Sequence, residues 1–135
     1  MCSSDLYTKA AMPAEWAMVQ NNLGAVLRVQ GEWTRGDAGF ALFGQTVAAY
    51  RAALTVYTQA AMPAQWARTQ NNLGIVLARQ GELTGGEAGL DLLGEAVAAF
   101  HASLTVRTEA AMPYHYGVTT KNLARAEAAI AALRG

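Results

Sequence analysis

The chain repeats itself every fifty residues, and this limits its folds more than any other feature. Residues 7–56 and 57–106 are identical at 32 of 50 aligned positions without a gap. A third, partial copy opens at Arg107 with RTEAAMP and fades after Leu123. Stretches so alike fold into the same local unit, and a period of roughly 20–50 residues marks a solenoid, a propeller or an array. The chain therefore divides into residues 1–6, repeat 1 over 7–56, repeat 2 over 57–106 and a partial repeat 3 over 107–135. Residues 7–135 are expected to form one structural domain. The opening MCSSDL shares little with the equivalent RAALTV and HASLTV, and it reads as a truncated or artefactual segment.

Each unit begins with a proline, at Pro13, Pro63 and Pro113. Proline suits the first turn of a helix, where its missing N–H is not needed, and it disfavours helix in the residue before it. A first helix, A, is therefore expected to start at each one. In repeat 1, Trp16, Gln20, Leu23 and Leu27 follow at spacings of four, three and four, a stripe expected to face the core. Gly31 and Gly81 are expected to stop helix A. Thr34-x-x-Asp37 and Thr84-x-x-Glu87 read as capping boxes for a second helix, B. Helix B carries Phe43, Val47, Tyr50 and Leu54 on one stripe, with Thr46 and Ala53 beside it; its copy carries Leu93, Val97, Phe100 and Leu104, with Ala96 and Ser103. Gly44 and Gly94 fall inside helix B at a cost of about 1 kcal/mol each against alanine, which close helix–helix approach would offset. No stretch alternates with period two. The fold class is all-α: an α-solenoid of stacked antiparallel helix pairs in the order A, B, A, B, A.

Composition removes several classes of function. Ten basic and ten acidic side chains cancel, leaving no charge footprint for nucleic acid or an anionic membrane. No apolar run approaches the roughly 20 residues of a spanning helix. The single cysteine, Cys2, excludes an internal disulfide framework, and a reducing, cytoplasmic setting is the default. His101 and His115 stand where the preceding copy has Arg51 and Gln65, which marks tolerant surface positions. A metal site needs about three or four converging ligands, and no Cys/His/carboxylate cluster offers them. No nucleophile–base pair or phosphate loop stands out, so no enzyme, metal or cofactor is expected.

The unit resembles the tetratricopeptide repeat. The residues that carry the likeness are Leu23-Gly24 and Leu73-Gly74 with Leu27 and Leu77 on helix A, and Thr46/Tyr50/Ala53 and Ala96/Phe100/Ser103 on helix B. That family's unit is about 34 residues, whereas this one is fifty. Most of the extra length lies between the two helical cores, and the rest follows helix B. The tryptophan that the family places three residues before the leucine is absent; Trp16 and Trp66 lie one turn earlier. The chain is similar to a long-period, bacterial variety of the repeat over about residues 7–134. The resemblance implies a right-handed superhelix of some two and a half repeats, whose A helices line a concave face that holds a peptide or a partner helix.

The face of helix A opposite its core stripe carries positions 18, 22, 25 and 29 of repeat 1, with 21 and 28 alongside. The copies diverge there: Met18 becomes Arg68 and Val118, Ala25 becomes Ile75 and Arg125, and Val29 becomes Arg79 and Ala129. One position is constant, as Asn22, Asn72 and Asn122. In the family, an asparagine just before this leucine grips a peptide's backbone or terminal carboxylate, and an amide offers donors and acceptors without charge. Arg68, Arg79, Lys121 and Arg125 could add charge-assisted bonds to an acidic group. Asn21 and Asn71 are weaker candidates, because Lys121 replaces them in the third copy. Two other readings of the constant asparagine stay open: a bond that holds neighbouring helices together, and simple solvation. Trp16, Trp66 and Gln20 read as packing residues, and Trp33, with Leu83 as its counterpart, as an apolar loop anchor. The function expected is a protein-interaction scaffold with a protein or peptide partner and no nucleic acid or membrane. The alternative is a structural spacer that self-associates by stacking its exposed ends.

Overall fold

The computed structural model describes residues 8–135; the expectations for residues 1–6, Cys2 included, lie outside them. Five α-helices follow one another: α1 (Pro13–Trp33), α2 (Gly36–Leu54), α3 (Pro63–Thr84), α4 (Gly86–Leu104) and α5 (Pro113–Arg134). There is no strand among the described residues. The chain divides into two compact units, Met1–Met62 and Pro63–Gly135, with the boundary at a proline that starts a helix. In the first unit α1 packs on α2; in the second, α4 packs on both α3 and α5, and α3 meets α5 along a shorter contact.

The prolines begin α1, α3 and α5 as expected. Met12 and Met112 before them lie outside the helical region, at φ −138° and −142°, as expected of a residue that precedes proline. The residues between each helix B and the next proline form a turn that the sequence reading left undescribed. Thr8, Thr58 and Thr108 each accept, at Oγ1, the N–H three residues on, at 3.1 Å. The carbonyls of the same threonines accept the N–H of Met12, Met62 and Met112 at 2.9 Å. Much of the extra length after helix B is therefore a threonine-capped turn that aims the chain into the next helix.

Three expectations about glycine and capping are corrected. Gly31 and Gly81 do not end helix A, which continues to Trp33 and Thr84. They sit inside it because a neighbouring helix leaves no room for a side chain. A Cβ at Gly31 would lie 2.8 Å from the Phe43 ring, and one at Gly81 would lie 2.8 Å from the Gly89 carbonyl. The chain turns instead through Gly36, at φ +74°, and Gly85 and Gly86, at φ +66° and +60°, a region open to glycine at no steric cost. The capping boxes do not form either. The residues before α2 and α4 are Arg35 and Gly85, and neither helix has a side-chain cap. Finally, a Cβ at Gly44 or Gly94 would meet nothing within 4 Å, so close packing is not what places them in helix B.

The core of each unit centres on an aromatic ring from helix B. Tyr50 and Phe100 are both 1% exposed and lie over Gly24 and Gly74. Phe43, Thr46, Val47 and Ala53 in α2, and Leu93, Ala96 and Ser103 in α4, are buried on the expected stripe. Ser103 Oγ donates to the Ala67 carbonyl at 2.8 Å and ties α4 to α3. Trp16 and Trp66 are half-buried, and the Lys9 ammonium lies 5.4 Å from the Trp16 ring centre. Leu23 departs from the expected core stripe. It is 44% exposed, whereas its counterpart Leu73 is 6% exposed.

Candidate partner-binding site

The contact of α3 with α5 sets two helix-A faces side by side within the second unit. Asn122 Nδ2 donates to Asn71 Oδ1 at 3.1 Å across it. Asn71 is 5% exposed, and so is Asn21 at the same position of α1. The ranking of the asparagines is thereby revised. Asn122, placed among the ligand-gripping residues, is joined to a neighbouring helix, and Asn71, taken as its weaker companion, is its buried acceptor. The constant position is also not one environment: Asn22 is exposed, while Asn72 and Asn122 are half-buried. Among the described residues, Asn72 makes no side-chain hydrogen bond. The helix-holding reading thus applies to Asn122, and Asn22 and Asn72 remain available to a partner.

The four cations named from sequence, Arg68 and Arg79 on α3 and Lys121 and Arg125 on α5, are all exposed. None pairs with a carboxylate among the described residues, in contrast to Arg28, which pairs with Glu32 at 2.7 Å on α1. Charge separates by element in this unit. Helix α4 carries Glu87, Asp91 and Glu95 with no lysine or arginine, whereas α3 and α5 carry Arg68, Arg79, Lys121, Arg125 and Arg134 against Glu82 and Glu127. The net charge of zero conceals a basic pair of helices. Helix α1 has a different surface, since Met18, Val26, Val29 and Trp33 are 45% or more exposed, Trp33 at 85%. Trp33 is therefore not a loop anchor; it ends α1 in solvent.

One charged residue escaped the sequence reading. Arg107, in the α4–α5 connection, is 5% exposed. Its Nη1 donates to Thr119 Oγ1 at a long 3.4 Å, and its buried Nε has no partner. Burial pushes its pKa below the usual guanidinium value, and the nearby Arg68 charge adds to the effect. The signal was present in the repeat itself, because Arg107 stands where the two full copies have Tyr7 and Tyr57. His115 stacks edge-on to Tyr114 at 5.5 Å. No group of three or more potential metal ligands occurs among the described residues, and none of their helices is long and apolar enough to cross a membrane.

Comparison with models of protein families, with curated proteins and with solved structures found no match to this chain.

Proposed function

We propose that the chain is a protein-interaction module and that the adjoining faces of α3 and α5 bind an acidic, extended peptide segment. The observation that carries this reading is the set of exposed cations Arg68, Arg79, Lys121 and Arg125, none of which has a carboxylate partner among the described residues. Arg68 and Arg79 share helix α3 with Asn72, at helical spacings of four and seven residues from it, and the half-buried Asn72 amide makes no side-chain hydrogen bond among the described residues. An amide of this kind can bond a peptide group in both directions, and arginines bind carboxylates through paired, charge-assisted bonds. The face of α1 that holds Asn22 occupies the same position in its own repeat and extends the proposal to the first unit. The reading takes the helix pairs as units of a tetratricopeptide-like solenoid, supported by the repeat pattern and the residues of its helical cores.

The test is a titration of labelled acidic peptides against the wild-type chain and the Arg79→Glu, Arg125→Glu double variant. Both positions are exposed, so folding is unaffected. The reading expects binding that weakens with added salt and falls by about tenfold or more in the variant, the loss of one charge-assisted bond or more. Equal binding by both proteins, or none by either, would contradict it.

A second reading, self-association, is supported by α1. Leu23, Val26, Val29 and Trp33 are 44%, 55%, 45% and 85% exposed, whereas Leu73 and Val76, at the positions of Leu23 and Val26 in α3, are 6% and 0% exposed. Sedimentation over a range of concentrations tests it. A dimer abolished by Val26→Ser with Trp33→Ser supports self-association, and a monomer at all concentrations rejects it.

A further inference from the structure

We propose that the basic face of α3 and α5 is also met by the acidic face of α4 from a second copy of this chain, so that copies associate in series when no other acidic segment is bound. The inference names a further partner for the face assigned above and rests on that reading for the role of its cations. It starts from how charge is arranged in the second unit. Helices α3 and α5 carry five cations against Glu82 and Glu127, a net +3, while α4 carries Glu87, Asp91 and Glu95, a net −3. The two signs lie on opposite sides. Leu93, Ala96, Phe100 and Ser103 turn one side of α4 inward, and Glu87 and Asp91 lie exposed on the other. On α3, Gly74 under the Phe100 ring and Ala67, whose carbonyl meets Ser103, mark the side against α4. Arg68 and Arg79 lie round the helix from them, exposed. Neither Glu87 nor Asp91 pairs with a cation among the described residues.

Both signs are particular to this repeat. Arg68, Arg79 and Asp91 stand where repeat 1 has Met18, Val29 and Ala41, so the two faces acquire opposite charge together. Beyond the carboxylates, Gly94 and Ala98 continue the stripe at spacings of three and four, and no long side chain there holds a second surface away. Complementary faces of this kind steer encounter and fix register. Because they lie on opposite sides, a copy that offers its α4 to one neighbour still has its basic face open to another. A heterologous contact adds copies as a chain or a ring rather than closing as a symmetric pair.

Sedimentation of the full chain over a concentration series, at low and at high ionic strength, tests this contact. The expected result is reversible association at low salt that grows past the dimer with concentration and is lost as sodium chloride shortens the reach of surface charges. Arg79→Glu, Arg125→Glu reverses the basic face, and Glu87→Lys, Asp91→Lys the acidic one; all four positions are exposed. Each variant alone should associate about tenfold more weakly or worse. An equimolar mixture of the two should regain association, since each then offers the charge that the other lacks. Val26→Ser with Trp33→Ser should leave it unchanged. A chain that stays monomeric at low salt, that associates equally in both charge-reversed variants, or that associates only through Val26 and Trp33 overturns the proposal. Failure of the acidic-peptide reading is separately visible. Peptide that binds the wild type and not Arg79→Glu, Arg125→Glu, while the chain stays monomeric, removes the self-pairing alone. Association restored by mixing, with no peptide bound, removes the peptide reading alone.

Discussion

Glycine carries opposite meanings within one helix pair, and substitutions separate them. Alanine at Gly24 or Gly74 would place a Cβ 2.6 Å from the Tyr50 or Phe100 ring. Overpacking of this kind costs about 1–3 kcal/mol. Alanine at Gly44 or Gly94 would enter open space inside a helix, where it stabilises by up to about 1 kcal/mol. Denaturant unfolding of the four single variants should therefore give two losses and two gains; a loss at all four positions would contradict the packing described. The asparagines divide in the same way. Asn122→Ala removes the donor to the buried Asn71 carbonyl, at about 1–3 kcal/mol, whereas Asn22→Ala on an exposed site stays within about 0.5 kcal/mol. The sequence carries no sign that Asn122 and Asn71 meet across two helices. Helical spacing gives a residue's angle on its own helix, and only the approach of α5 to α3 decides which amide meets which. Arg107 is a buried charge whose Nε has no hydrogen-bond partner, an arrangement that costs stability. A lowered folded-state pKa in a basic group means that its charged form is disfavoured in the fold. The penalty is fully present at neutral pH and lifts only as pH rises past the lowered value. Arg107→Tyr should therefore have the higher Tm at pH 7, since the tyrosine at the equivalent position 57 is buried equally well.

At the scale of the element, the helix starts and the helix-B stripes were legible because their causes are local. A proline fixes its own φ and restricts its neighbour, and a stripe of large apolar residues at helical spacing has one face to bury. Helix ends were not legible in the same way. Gly31 has the appearance of a stop signal, yet it is an approach site for Phe43, because the sequence does not show that a second helix crosses there. The Thr34 and Thr84 boxes failed for a related reason. The turn runs through glycines at positive φ, which moves the helix start past the threonine. The uncovered residues of α1 belong to this scale as well. Their exposure predicts that Val26→Ser with Trp33→Ser leaves the unfolding midpoint within about 0.5 kcal/mol of wild type, measured in the same denaturant series. A loss of several kcal/mol would mean that these side chains are buried in solution.

At the scale of the molecule, the repeat made an all-helical chain of helix pairs readable before any coordinates. The proposed function rests on what differs between the copies. Tyr57 becomes Arg107, Met18 becomes Arg68, and Val29 becomes Arg79, while an aromatic ring lies over Gly24 and Gly74 alike. The outcome is a unit whose α3 and α5 are basic and whose α4 is acidic, within a chain of zero net charge. Composition could not reveal this, because a sum carries no positions. The most direct measurement is selection of a random displayed peptide library on the wild-type chain, followed by titration of the enriched peptides against Arg79→Glu, Arg125→Glu. The account predicts enrichment of Asp- and Glu-rich sequences whose affinity falls about tenfold or more in the variant. Enriched peptides without acidic residues, or peptides that bind the variant as tightly as the wild type, would contradict it.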